Sequence, residues 1–179
     1  QECDCDFLSS GDTVFEPDDM TFYEETYEKE PLERRGVDGN LWIWEGVDYR
    51  KSYMVVADVA RGDSTDYSAF HIFDIESAVQ VGEYKGKLSP KEFGNVLVGI
   101  AAEYNDALLV CENANIGWAT IEQILEREYR NMYYSSTAQM ESVESYMHKY
   151  ERDKLVPGFT MSARTRPLVI AKMIEYIRD

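Results

Sequence analysis

The chain has 179 residues, 44% hydrophobic and 29% charged, with a formal net charge of −16. Such a chain is long enough for one ordinary domain with a real core. It has no apolar stretch near the roughly 20 residues that a bilayer-crossing helix needs, and its acidic balance runs against that of a typical nucleic-acid binder.

The charge is unevenly placed. Residues 1–30 hold eleven acids and one lysine, a net of −10, and residues 31–179 hold 23 acids and 17 Lys or Arg, a net of −6. Basic clusters remain at Arg34-Arg35, Arg50-Lys51, Lys85/Lys87/Lys91 and Arg164/Arg166, which softens the objection to DNA. The start, Gln1-Glu2-Cys3-Asp4-Cys5-Asp6, is acidic and unlike a signal peptide. Cys3 and Cys5 lack the further ligands of a zinc site, and Cys111 lies in an apolar run, so all three are read as reduced thiols of an intracellular protein.

In chain order, residues 1–30 read as an extension with a turn at Pro17-Asp18-Asp19. Residues 31–52 read as loop, with a short strand at Leu41-Trp42-Ile43-Trp44 whose tryptophans serve as a packing lid rather than a base-stacking platform. Regular patterning starts at Tyr53–Asp58, an apolar strand ending in an acid. A polar link leads to a second strand, Tyr67–Asp74, and a turn to a third, Val79–Tyr84, which together read as an antiparallel meander.

A helix follows, with Ser89 as N-cap, Pro90 at its first position and Glu92 completing a capping box. Phe93, Val96, Leu97, Ile100, Ala101 and Tyr104 make its stripe. Ala107–Glu112 is a fourth strand. A helix from Trp118 to about Tyr129 is expected to turn Trp118, Ile121, Leu125 and Tyr129 inward, and Met132–Ser135 is a fifth strand. Residues 136–161 are polar and unpatterned, and a last helix runs from about Thr165 to Arg178. The order β-β-β-α-β-α-β-α predicts an α/β fold, a mixed sheet with helices on its faces.

Asp58 and Glu112 end two of these strands, and the strand order can set them side by side. Carboxylates held that close repel, and a hard cation relieves the repulsion. Asp58, Glu112 and Asp66, if its link folds back, are the candidate ligands for Mg²⁺ or Mn²⁺ in a phosphodiester-cleaving site, where two ions would activate water and stabilise the leaving oxygen. Each acid alone is more simply a solvated strand end. Asp63 and Asp74 read as turn acids, and His71 and His148 have no nucleophile arrangement around them. No phosphate-binding G-x-x-x-x-G-K-[ST] occurs.

The segment Val56-Ala57-Asp58-Val59-Ala60-Arg61-Gly62-Asp63-Ser64-Thr65-Asp66-Tyr67-Ser68-Ala69 resembles the first acid motif of the nuclease domain in the large terminase subunit of tailed bacteriophages. Val110-Cys111-Glu112-Asn113-Ala114-Asn115 resembles that family's second acid motif, and Phe7 to Phe15 resembles the join between its ATPase and nuclease domains. The resemblance implies an RNase H-like fold that cuts concatemeric double-stranded DNA, with Asp58 and Glu112 as metal ligands and Asp66 in support. It implies partners as well: an ATPase domain in the same chain, a portal and a small terminase subunit, in the host cytoplasm. Residues 1–50 would then be an acidic linker and 51–179 the nuclease domain, an excised fragment whose third acid lies on a later segment, after another hairpin. Arg61, Lys85, Lys87, Arg164 and Arg166 are the candidate DNA contacts. Two other readings stay open: a resolvase- or transposase-type nuclease of the same fold, and a non-catalytic module that docks a basic partner through its acidic tail.

Overall fold

From Tyr53–Asp58 to Leu108–Cys111 the elements follow the sequence pattern, and departures lie on either side of that stretch. The computed structural model describes residues 14–62, 65–136 and 155–178. Cys3, Cys5, Asp63, His148, Asp179 and most of the Phe7–Phe15 segment lie outside the described residues. The elements are α1 (Pro17–Tyr27), β1 (Glu33–Arg35), β2 (Leu41–Ile43), β3 (Tyr53–Asp58), β4 (Ser68–Asp74), β5 (Val79–Gly86), α2 (Pro90–Glu103), β6 (Leu108–Cys111), α3 (Gly117–Glu126), β7 (Tyr134–Ser136), β8 (Leu155–Pro157) and α4 (Thr165–Arg178).

Six strands form one mixed sheet in the order β1-β2-β5-β4-β3-β6. Every neighbouring pair is antiparallel except β3 and β6. The meander is therefore as the alternating runs predict, and α2 carries the chain from β5 to the far side of β3, where β6 pairs in parallel. The β4–β5 turn is built on Asp74, whose buried carboxylate accepts the Glu76 N–H at 3.0 Å and a 2.8 Å hydrogen bond from Lys51 Nζ. Both interactions favour the charged form, and they hold its carboxyl well below the usual range, at about 2.

α2 begins as its sequence predicts. Ser89 Oγ accepts from Glu92 N, and the Glu92 carboxylate accepts from Ser89 N, a reciprocal pair that satisfies two otherwise orphaned donors. Its apolar stripe packs on β3 and β6. The resulting core joins Val55, Phe70, Ile72, Val81 and Leu109 of the sheet to Phe93, Leu97, Ile100 and Tyr104 of α2. Phe70 stacks on Tyr84 with centroids 5.2 Å apart, and each such side chain contributes about 1.5–3 kcal/mol by leaving water.

Three departures have physical reasons. First, β1 and β2 lie inside the 1–50 stretch read as linker, yet both hydrogen-bond into the sheet. β2 is the short strand expected at Leu41–Trp44, whereas β1 is only Glu-Arg-Arg and carries no strand-like period. Second, α3 turns only part of the expected face inward: Ile121 is buried and Tyr129 packs on the core, but the other two expected positions are exposed. Thr120, Ile121 and Ile124 are buried, while Trp118 and Leu125 are each 42% exposed. The helix is rotated by its close approach to α2, where Thr120 Oγ1 donates to Pro90 O at 2.9 Å and a Cβ on Gly94 would lie 2.9 Å from the Gln123 Cβ. Third, the expected fifth strand only touches the main sheet. Met132 bridges Leu109, but β7 pairs with β8 as a separate two-stranded sheet.

Pro17-Asp18-Asp19 opens α1 rather than a turn, since Pro at the first position and acids in the first turn also suit a helix start. The chain divides into two compact units: Pro31–Met161 holds both sheets, and Gln1–Glu30 groups with Ser162–Asp179. In the second unit Arg178 pairs with Glu16 at 3.2 Å, and neither α1 nor α4 has a buried residue.

Candidate active site

The parallel pairing of β3 with β6 sets the two strand-end acids next to each other. Its register runs Met54↔Leu108, Val55↔Leu109, Val56↔Val110, Ala57↔Cys111. The next step sets Asp58 beside Glu112, and Glu112 N donates to Ala57 O at 3.2 Å to complete it. Ala57 and Cys111 are buried in the core. Successive strand side chains alternate, so Asp58 and Glu112 both leave by the opposite face. Asp58 is exposed and Glu112 half-buried. The Cys111 thiol is pushed up to about 12, chiefly by burial and further by the nearby charges of Asp58 and Glu112.

Each acid is held by its surroundings. After Asp58 the chain is tied down by Ser68, fully buried, whose Oγ accepts the Ala60 N–H at 3.0 Å. Gly62 then turns with φ +80° so close to the segment leading into α2 that a Cβ would meet the Leu88 carbonyl. Only glycine takes both that conformation and that approach at no cost. On the other strand, Phe159 N donates to Cys111 O at 2.8 Å and Asn113 N to Phe159 O at 3.0 Å, so a bridge flanks Glu112 on its far side. The Asn113 side chain, buried, donates to Pro157 O at 3.1 Å and to Thr160 Oγ1 at 2.8 Å. Gly117, the start of α3, sits against the Glu112 carbonyl with no room for a Cβ.

The remaining candidates divide by position. Arg61 follows β3 at the same end of the sheet and is exposed. Asp66 is exposed three residues before Ala69, the partner of Asp58 across β3 and β4. Lys85 pairs with Ala69 one strand further, and Lys87 follows β5. Arg164 lies just before α4 and Arg166 in its first turn, both in the other unit. Among the described residues no three His, Cys, Asp or Glu gather closely enough to hold one ion, so the acids brought together are the pair Asp58 and Glu112. Sequence reasoning missed Ser68, Asn113 and Gly117 as supports. A buried polar residue right after a strand-end acid, as Asn113 is, was the available signal. It also missed Tyr67, whose ring both the Lys85 and Lys87 ammonium groups approach. At the other end of β6 a cavity of about 310 Å³ is lined by Asp106, Arg127, Glu128, Tyr129, Arg130 and Asn131, away from the acids.

A six-stranded mixed sheet flanked by helices, with its parallel pair ending in two acids, is a fold that this chain shares with solved large terminase nucleases. The chain is similar to the large terminase nuclease from thermophilic phage G20c with bound magnesium, at a TM-score of 0.62 and 14% identity over 94% of this chain and 71% of that one. The cobalt-bound form of the same nuclease matches at a TM-score of 0.61 and 14% identity over the same shares. The zinc-bound form matches at 0.56 and 15% identity, over 83% of this chain and 70% of that one. At these identities the likeness is one of fold. No protein-family model and no curated protein matches the sequence. Among the described residues no helix is long and apolar enough to cross a membrane.

Proposed function

We propose that this chain is the nuclease domain of a viral DNA-packaging terminase, a divalent-metal-dependent endonuclease acting on concatemeric double-stranded DNA. The observation that carries the reading is the β3–β6 register, which sets Asp58 and Glu112 side by side on one face of this fold. The similar G20c nuclease is known with magnesium, cobalt and zinc bound. Here the donors are carboxylate oxygens, which suit hard Mg²⁺ or Mn²⁺.

In this reading Asp58 and Glu112 hold the metal and Asp66 supports them from the following loop. When bound, a pair of such ions supplies an activated water and neutralises the leaving 3′-oxygen. The chain's own part is to fix the two carboxylates through Ser68, Asn113, Phe159 and Gly117. Arg61 draws phosphate to that end of the sheet, and Arg164 and Arg166 are further DNA contacts. The wider setting is the packaging motor in the host cytoplasm, with an ATPase domain in the same polypeptide, a portal and a small terminase subunit. The test is conversion of supercoiled plasmid to nicked circles with Mg²⁺ or Mn²⁺. Nicking should require the metal and vanish with Asp58→Ala or Glu112→Ala, and metal-dependent nicking that survives both changes overturns the assignment.

A further inference from the structure

A row of register positions crosses the acid-bearing end of the sheet: Glu112, Asp58, Ala69 and Lys85, on β6, β3, β4 and β5. In-register residues of neighbouring strands share a face. Lys85 therefore leaves the sheet on the same side as the two acids. Three strand spacings of about 4.8 Å separate its position from that of Glu112, roughly 14 Å in all.

Two residues further, Lys87 repeats the direction. Both lysines turn to one ring. Lys85 Nζ lies 5.1 Å and Lys87 Nζ 4.9 Å from the centroid of Tyr67, which is 48% exposed. Among the described residues neither lysine forms an ion pair, although the chain carries a net charge of −16. Two like charges are thus gathered about one exposed aromatic ring, in a chain with carboxylates to spare. The ring quadrupole draws each ammonium in, no described carboxylate pairs with either, and an anionic chain laid across them would relieve their mutual repulsion.

We propose that Tyr67, Lys85 and Lys87 clamp the sugar–phosphate backbone of the DNA strand presented to Asp58 and Glu112. The two ammonium groups take neighbouring phosphates, and the ring keeps them positioned. Duplex DNA rises about 3.4 Å per nucleotide along its axis, so a separation of roughly 14 Å places the clamped phosphates no more than about four nucleotides from the one at the carboxylate pair. The clamp recognises backbone and not base edges, so it sets where along the strand the cut falls without choosing a sequence. This inference rests on the nuclease reading for the identity of its partner.

Duplex binding is measured by fluorescence anisotropy with EDTA present, across roughly 50 to 200 mM salt, where affinity falls as counterions are released. The chain carrying both Lys85→Gln and Lys87→Gln should bind more weakly, and its plot of log affinity against log salt should flatten by about 1.8, or 0.9 for each phosphate no longer neutralised. Tyr67→Phe should match the wild type, and Tyr67→Leu should weaken binding several-fold at low salt. A double-lysine variant with wild-type affinity and slope overturns the clamp, as does a wild-type chain that does not bind duplex. Asp58→Asn keeps the two ideas apart. It should keep the full salt slope, and loss of nicking there reports on the carboxylates alone.

Discussion

Asp58→Asn offers the sharpest test of the carboxylate pair, because its effect should change sign with metal. Without metal, Asp58 and Glu112 leave adjacent in-register positions about 5 Å apart. Asp58 is exposed and Glu112 half-buried, so the medium between them is close to water and their repulsion costs about 1 kcal/mol. The isosteric amide removes that cost. In EDTA the variant should melt higher than the wild type, by about 3 °C for a domain of this size. With free metal at about 100 times its Kd, the wild type gains about 2.7 kcal/mol by mass action, while the variant, with one carboxylate left, gains little. The order of melting temperatures should then reverse. Thermal unfolding followed by the fluorescence of Trp42, Trp44 and Trp118 in EDTA, Mg²⁺ and Mn²⁺ reads both states. A variant that melts below the wild type in EDTA, or that rises equally with metal, would refute the reasoning and move any ion elsewhere.

Two further outcomes follow from the packing around the site. Gly158 has φ +86°, and a Cβ there would sit 2.6 Å from both the Cys111 carbonyl and Ile121 Cδ1. Gly158→Ala should therefore cost about 2 kcal/mol or more in urea denaturation; an unchanged midpoint would mean that the segment beside Glu112 yields freely. Asp74 has its folded pKa lowered to about 2 by Lys51 and the Glu76 and Ser77 groups, against about 3.9 when unfolded. Its contribution is complete above pH 4 and is lost as pH falls from about 4 to 2. Melting temperatures measured down that range should drop less steeply for Asp74→Asn than for the wild type, and parallel curves would contradict the ion pair.

The parts of this fold that were legible in the sequence are those whose energetics are local. Tyr53–Asp58 declares itself as a strand because five apolar side chains run unbroken to an acid. α2 declares itself because Ser89, Pro90 and Glu92 satisfy its first turn before any tertiary contact forms. The adjacency of Asp58 and Glu112 was legible for a different reason. A meander followed by a helix leaves β6 few places to pair, and parallel pairing brings matching ends together. What stayed hidden depends on partners far away in the chain. β1 exists because β2 offers it backbone hydrogen bonds, not because Glu33-Arg34-Arg35 prefers to extend. The inward face of α3 is chosen by Pro90 and Gly94 on another helix. Phe159 and Asn113 brace Glu112 across a gap in sequence that no spacing rule reaches.

The placement of β6 also sets an order of assembly. Asp58 and its strand can pair with β4 and β5 through short turns, so that half of the site forms from nearby contacts. Glu112 arrives only after the whole meander and α2 have been laid down and β6 has closed a long loop onto β3, a step slowed by the entropy of non-local contact. As the chain emerges from the ribosome, the first acid is in place well before the second. A half-made protein thus exposes one solitary carboxylate, with no second acid beside it.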